Sequence, residues 1–176
     1  MQALLRIASL APSVGHAQPW RFVRIRSAAM RGMLAGHVDA QSADAAQYYD
    51  NGRAQQYRTL KLHGIEQAPE LVAVFCEDQP RAGHGLGIAT MPEMLRYSTV
   101  MAIHNLWLAA RARDIGVGWV SILDPHEVAR MLDVPATWAL IAVLCVGYPE
   151  QPGVTPELET RGWQAREPWT DRIFER

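Results

Sequence analysis

The chain has 176 residues, 49% hydrophobic and 20% charged, and its 17 Lys and Arg against 18 Asp and Glu leave a formal charge of −1 at pH 7. That is globular composition, and a chain this long removes roughly two-thirds of its unfolded surface from water, so it needs no disulfide or metal staple. The near-zero charge without a basic run excludes a nucleic-acid binder that neutralises phosphates, and no stretch nears the about eighteen apolar residues of a membrane-spanning helix.

Residues 1–176 read as one domain, with no internal repeat and no dividing linker. Leu4, Leu5, Ala8 and Ala11 recur at helical spacing, predicting a helix from Gln2 to Ala11 that Pro12 ends. A loop, Pro12 to Pro19, leads to a half-buried strand at Trp20–Ile25, followed by a short helix at Ala28–Val38. Gln41–Gln67 is polar and Gln/Ala/Tyr-rich, helical on both sides of an Asp50-Asn51-Gly52 break, with little core. Leu71–Cys76 is a continuous apolar run, a buried strand. A loop from Glu77 to Thr90 has a flexible centre with Gly83, Gly85 and Gly87.

Pro92–Asp114 is the strongest helix, apolar around most of its circumference and therefore central, with Gly116 in the place of a left-handed cap. Val117–Leu123 reads as a strand; Asp124 follows as N-cap, with Pro125 and Glu127 in the first turn of a helix to Leu132. A last strand, Ala139–Val146, precedes a Pro-rich tail whose Trp163, Trp169 and Phe174 need something to pack on. Cys76 and Cys145 sit singly in apolar segments, which predicts reduced thiols and a cytoplasmic protein.

Six histidines stand scattered without an HExxH or a paired Cys, so no metal site is expected. Ser121 lacks the glycine-flanked elbow of a serine hydrolase, and Gly85-Leu86-Gly87 lacks the third glycine of a dinucleotide loop. Lys61 is the sole lysine. The loop from Pro12 through Ser13 and Gln18 to Trp20 places a hydroxyl, a permissive glycine, an amide and an indole within nine residues. Those groups suit a planar heteroaromatic ligand, and on composition alone slightly better an ordinary helix-to-strand loop with Trp20 in the core. Gly116–Ser121 admits the same two readings, as a strand a ligand lies against or a tight strand entrance. Arg161 reads as an anion contact or a surface arginine.

Together PSVGHAQPW (12–20), LKLHGIEQAPE (60–70), GLGIATMPEM (85–94), the segment 97–123, CVGYP (145–149) and PELETRGW (156–163) resemble the flavin-dependent nitroreductase superfamily, and more closely its BluB branch, the 5,6-dimethylbenzimidazole synthases. The resemblance implies an α+β fold with a central, mainly antiparallel sheet flanked by helices, and a homodimer with two flavin sites at its interface. It implies that reduced FMN is both ligand and substrate, fragmented with O2 to 5,6-dimethylbenzimidazole and erythrose 4-phosphate, with NAD(P)H or a flavin reductase as electron source and no metal.

By the same resemblance Pro12, Ser13 and Gln18 belong to the flavin loop, and Gly118, Trp119 and Ser121 lie beside the ring. Ser121 is the catalytic candidate, Lys61 and Arg161 are anion contacts, and Met91–Met94 line or cover the pocket. Members of the branch also carry an Arg-rich N-terminal segment with an Asp, which holds the phosphate and assists fragmentation; this sequence starts inside the helix that follows it. Two other functions stay open: an NAD(P)H-dependent flavin oxidoreductase acting on nitro or quinone substrates, and a catalytically impaired flavin-binding remnant.

Overall fold

The computed structural model describes residues 1–150 and 153–176. Four strands, β1 (Trp20–Arg24), β2 (Glu70–Glu77), β3 (Gly116–Val120) and β4 (Trp138–Gly147), form one sheet in the order β1-β2-β4-β3, with every neighbouring pair antiparallel. Successive side chains of a strand point to opposite faces, and here both faces are covered. On one, Val72 and Val74 of β2 and Leu144 and Val146 of β4 meet α1 (Gln2–Ala8) and α4 (Met94–Arg111). On the other, Leu71, Ala73 and Phe75 meet α2 (Ala28–Ala45) and α5 (Pro125–Met131). Double coverage is why Leu71 to Cys76 read as an unbroken apolar run: all six are fully buried.

The register of β2 on β4 shifts after Val74, which faces Ala142, while Phe75 faces Leu140; Ile141 is the extra residue of a bulge. Beyond it the indole Nε1 of Trp138 donates to Glu77 Oε2 at 2.9 Å. The fold class matches the sequence reading, while several boundaries move. Helix α1 stops at Ala8, and α2 runs on through the alanine-rich segment to Ala45 because nothing in 39–45 breaks it. The expected break falls at Asp50, which is extended and caps α3 (Asn51–Arg58) by accepting from the Arg53 N–H at 2.9 Å, while Asn51 and Gly52 already belong to the helix. The polar stretch also carries more core than its composition suggests, since Ala46, Ala54, Tyr57 and Ile65 are buried.

The left-handed residue that closes α4 is Asp114, at φ 56°, not Gly116; Ile115 then donates back to the Ala110 carbonyl, and Gly116 is free to open β3. Strand β3 ends at Val120, so Ser121 to Leu123 form the turn into α5, where Asp124 caps the His126 and Glu127 amides. In the tail, Trp163 packs edge-on against Tyr49 beneath the Arg53 guanidinium, whereas Trp169 and Phe174 stay exposed.

Helix α4 buries Leu95, Ala102, Ile103 and Leu106 beneath the sheet yet exposes a second stripe of Tyr97, Val100, Trp107 and Leu108. At the edge of the sheet, Arg24 of β1 clasps Glu70 of β2 with Nη2 2.6 Å from Oε1. The Arg24 hydrogen bond holds the Glu70 carboxyl below its usual range, and the attraction of the same guanidinium adds to it. A carboxyl whose folded pKa is depressed stabilises fully above its unfolded value and loses that contribution as pH falls through the folded one. Glu70→Gln is therefore expected to cost roughly 0.5–1 kcal/mol at pH 7, about 2 °C in melting temperature for a chain of this size, with the difference from wild type shrinking in thermal melts as the pH falls and the Glu70 carboxyl takes up its proton. Leu106→Ala, beneath the sheet, is expected to cost about 2–5 kcal/mol, since core volume outweighs an edge ion pair.

Candidate flavin site

Helix α1 has already ended at Ala8, four residues before Pro12, and after a turn through Ser9–Ala11 the chain is extended at Ser13 and then turns tightly through Val14–His16. Three residues here are left-handed, Gly15 at φ 53°, His16 at 57° and Gln18 at 49°. For the two that are not glycine that conformation is costly and must be held by the surroundings. The Ser13 hydroxyl accepts from the Gln18 backbone N–H at 3.1 Å, and the Gln18 amide donates to the His16 carbonyl at 3.2 Å. The Val14 N–H donates to Ser98 Oγ at 3.0 Å, while the buried Ser98 hydroxyl donates to the Met94 carbonyl of α4. Ser13 and Gln18 thus face solvent from a closed, anchored loop, each with hydrogen-bonding capacity unused: the Ser13 O–H as donor, the Gln18 Oε1 as acceptor.

At the other edge of the sheet a groove of about 450 Å³ runs along β3, walled by the 61–69 segment and by Tyr148 to Glu150. It is within the size range of small-molecule sites. Lys61 stands exposed on its wall and makes no ion pair among the described residues. Gly118 faces it without a side chain; a Cβ there would meet Cys145 at 3.8 Å, so the glycine leaves the strand open to a flat ligand. Trp119 borders the groove and packs with Val117 toward α4. As an edge strand, β3 also offers a row of unpaired backbone donors and acceptors. Burial pushes the Cys145 thiol up from its ordinary pKa, against the Gly64 backbone hydrogen bond and the Arg31 charge, and pushes Cys76 up to about 11.

Arg161 is reached only indirectly. It lies just past α6 (Glu157–Thr160), its Nε is 2.7 Å from Glu157 Oε1, and Glu157 lines the groove. Ser121 is exposed just beyond β3 and is not among the lining residues. Met91, Pro92 and Glu93 are exposed at the start of α4, on the side of the 12–18 loop. One protomer therefore does not unite the expected site. The 12–18 loop enters β1, which is three strands, about 14 Å, from β3. Along the strands the separation is as large: Trp20 is level with Cys76 and Ala139, Gly118 with Cys145, about 20 Å farther along β4.

Sequence reasoning missed a second feature of the groove wall. His63 Nε2 lies 2.9 Å from Asp39 Oδ1 of α2, and its Nδ1 is shielded without a partner. The two residues are 24 apart in sequence, and no local pattern announces the pair.

The chain matches the Nitroreductase family over residues 1–148. It is 54% identical over 165 residues to the 5,6-dimethylbenzimidazole synthase of Rhodospirillum rubrum, covering 94% of this chain and 78% of the relative. A protein of the same name from Rhodobacter capsulatus is 49% identical, covering 94% and 80%. Among solved structures, a BluB-like flavoprotein from Clostridium difficile 630 superposes with a TM-score of 0.69 at 19% identity over 99% of this chain and 87% of that one. An iodotyrosine deiodinase bound to FMN and 3-iodo-L-tyrosine superposes with 0.69 at 24% identity, covering 85% and 77%. At those identities the structures speak to the fold.

The raised thiol pKa values carry an expectation of their own. In native protein at pH 8, iodoacetamide is expected to alkylate Cys76 and Cys145 far more slowly than a free cysteine, and both promptly after denaturation, as read by intact-mass spectrometry.

Proposed function

Because this chain belongs to the nitroreductase family, we propose that it is a 5,6-dimethylbenzimidazole synthase, converting reduced FMN with O2 into the lower ligand of cobalamin. The observation that carries the reading is the 54% identity to a synthase across 94% of the chain. The groove fits the flavin by its chemistry. A strand lacking a side chain at Gly118 admits a planar ring, and the edge of β3 offers backbone groups to its polar rim. Lys61 brings a cation that makes no ion pair among the described residues, suited to an anionic ring or phosphate.

Reduced FMN, when bound, supplies both the reductant for oxygen and the ring that becomes the product. The protein's part is to hold the ring and manage protons around it. Ser121, at the C-terminal end of β3, offers a hydroxyl able to donate or accept a proton at the reacting edge. Ser13 and Gln18 lie too far from β3 to reach the same ligand within one protomer, so we assign them to the partner's flavin in a homodimer. The exposed stripe of Tyr97, Val100, Trp107 and Leu108 is the natural seam for that dimer, since soluble chains rarely leave such a patch uncovered. Arg161 contributes beside Glu157, and NAD(P)H or a flavin reductase supplies electrons.

The test is to incubate the protein with reduced FMN in air and assay for 5,6-dimethylbenzimidazole by chromatography, with product expected. NAD(P)H oxidation without that product would instead identify an NAD(P)H-dependent flavin oxidoreductase. Ser121→Gly is expected to lower product formation by about tenfold or more while changing FMN affinity little, as for a group acting in proton transfer; equal losses would make Ser121 structural. Leu108→Glu is expected to give monomers in sedimentation and to weaken FMN binding by about tenfold, near 1.4 kcal/mol, because each site would lose its partner's loop.

A further inference from the structure

The glycines of the 83–87 segment do not line the groove along β3, and they form no phosphate fingerprint. Their surroundings give them another role. A Cβ on Gly83 would stand 2.9 Å from the Gly15 carbonyl oxygen and 3.0 Å from the Ala17 Cβ. A Cβ on Gly15 would stand 2.7 Å from the Leu86 carbonyl oxygen and 3.1 Å from that of Gly83. A Cβ on Gly87 would stand 2.8 Å from Val14 Cγ2. The two loops therefore touch backbone to backbone, each filling the place where the other lacks a side chain. All of these glycines are also left-handed, at φ 53° for Gly15, 85° for Gly83 and 82° for Gly87, so residue type is constrained by conformation as well as by space.

The same contact explains how His16 and Gln18 are kept left-handed. The 12–18 loop is pinned on one side by Ser98 of α4, through the Val14 N–H, and on the other by the glycine turn. Neither support is part of the groove. Gly85 belongs to the same turn and is equally left-handed, at 78°, but a Cβ there would meet nothing within 4 Å. The turn thus has two faces, one interlocked and one open.

We propose that Gly83 and Gly87 are positioning residues for the flavin site, acting through Val14 and Gly15 to hold Ser13 and Gln18 in the conformation that meets the cofactor. The proposal rests on the reading that Ser13 and Gln18 contact flavin. Gly83→Ala must push apart two backbones that cannot yield by rotating a side chain, whereas Gly85→Ala strains the same turn without touching the loop. Gly87→Ala collides only with the Val14 methyl, so Val14→Ala in the same chain removes the collision and leaves the Val14 N–H bond to Ser98 intact.

The experiment measures FMN affinity by flavin fluorescence and, on the full chain without flavin, hydrogen exchange of the peptide holding the Val14 and Gln18 amides. Gly83→Ala and Gly87→Ala are expected to weaken FMN binding about tenfold and speed that exchange, with Gly85→Ala within about twofold of wild type in both. The Val14→Ala, Gly87→Ala double variant is expected to regain most of the loss of Gly87→Ala. Unchanged exchange in Gly83→Ala and Gly87→Ala, equal losses in Gly85→Ala, or no recovery in the double variant would overturn the interlock. Faster exchange with unchanged FMN affinity would overturn the positioning role. If wild-type protein binds no FMN, the flavin reading fails and with it the proposed link to the cofactor, while the exchange data still decide whether the interlock holds the loop.

Discussion

Six consecutive side chains of β2, Leu71 to Cys76, are removed from water between helices packed on both faces of the sheet, and the two hydrophobic clusters meet along that strand and its neighbour β4. Burying such side chains contributes about 1.5–3 kcal/mol each relative to exposure, far more than the exposed ion pairs of this chain. With the centre of the sheet given over to packing, the proposed ligand contacts fall toward its edges, with Cys145 and Gly147 of β4 reaching the groove along β3. The groove lies along β3 at one edge and the 12–18 loop enters β1 at the other.

The proposed function therefore takes a second copy of the chain to complete each site. A flavin needs contacts around its whole rim and a counter-charge for its phosphate, and one edge strand with Lys61 covers a single side. The other groups lie at the far edge of the same sheet, beyond the reach of any side chain. A two-fold axis brings opposite edges of two copies together without new residues, because an isologous interface offers each copy's loop to the other's groove. In the homodimer proposed for this chain, the exposed apolar stripe of α4 is the surface assigned to that axis.

The 12–18 loop, proposed to face the ligand, is also conformationally demanding. His16 and Gln18 are left-handed without being glycine, and what holds them lies behind them: Ser98 on α4 and the glycine turn at 83–87. Rigid backing of this kind lowers the ordering cost when a ligand binds. The turn that reads in the sequence as a flexible segment rests one face on the 12–18 loop, where Gly83 and Gly87 allow close approach, while Gly85 on its open face meets nothing.

Periodicity, capping chemistry and composition were enough to read the alternation of helices and strands from the sequence. Asp124 before α5 and the apolar run at 71–76 act locally, through a side-chain acceptor or a continuous hydrophobic face, and local signals survive in a linear string, whereas α1 ends at Ala8, ahead of the Pro12 signal. The resemblance carried by the quoted segments pointed to flavin chemistry. The sequence could not show that Asp114 rather than Gly116 closes α4, that Asp39 finds His63, that Gly83 rests against Gly15, or that Ser13 and Gly118 lie at opposite edges of one sheet. The Asp114 closure is local, a left-handed residue of a type that does not announce it, with Ile115 bonding back to Ala110; the other three depend on contacts between residues distant in the chain, which are set by how the layers pack and leave no periodic trace in the residues that make them.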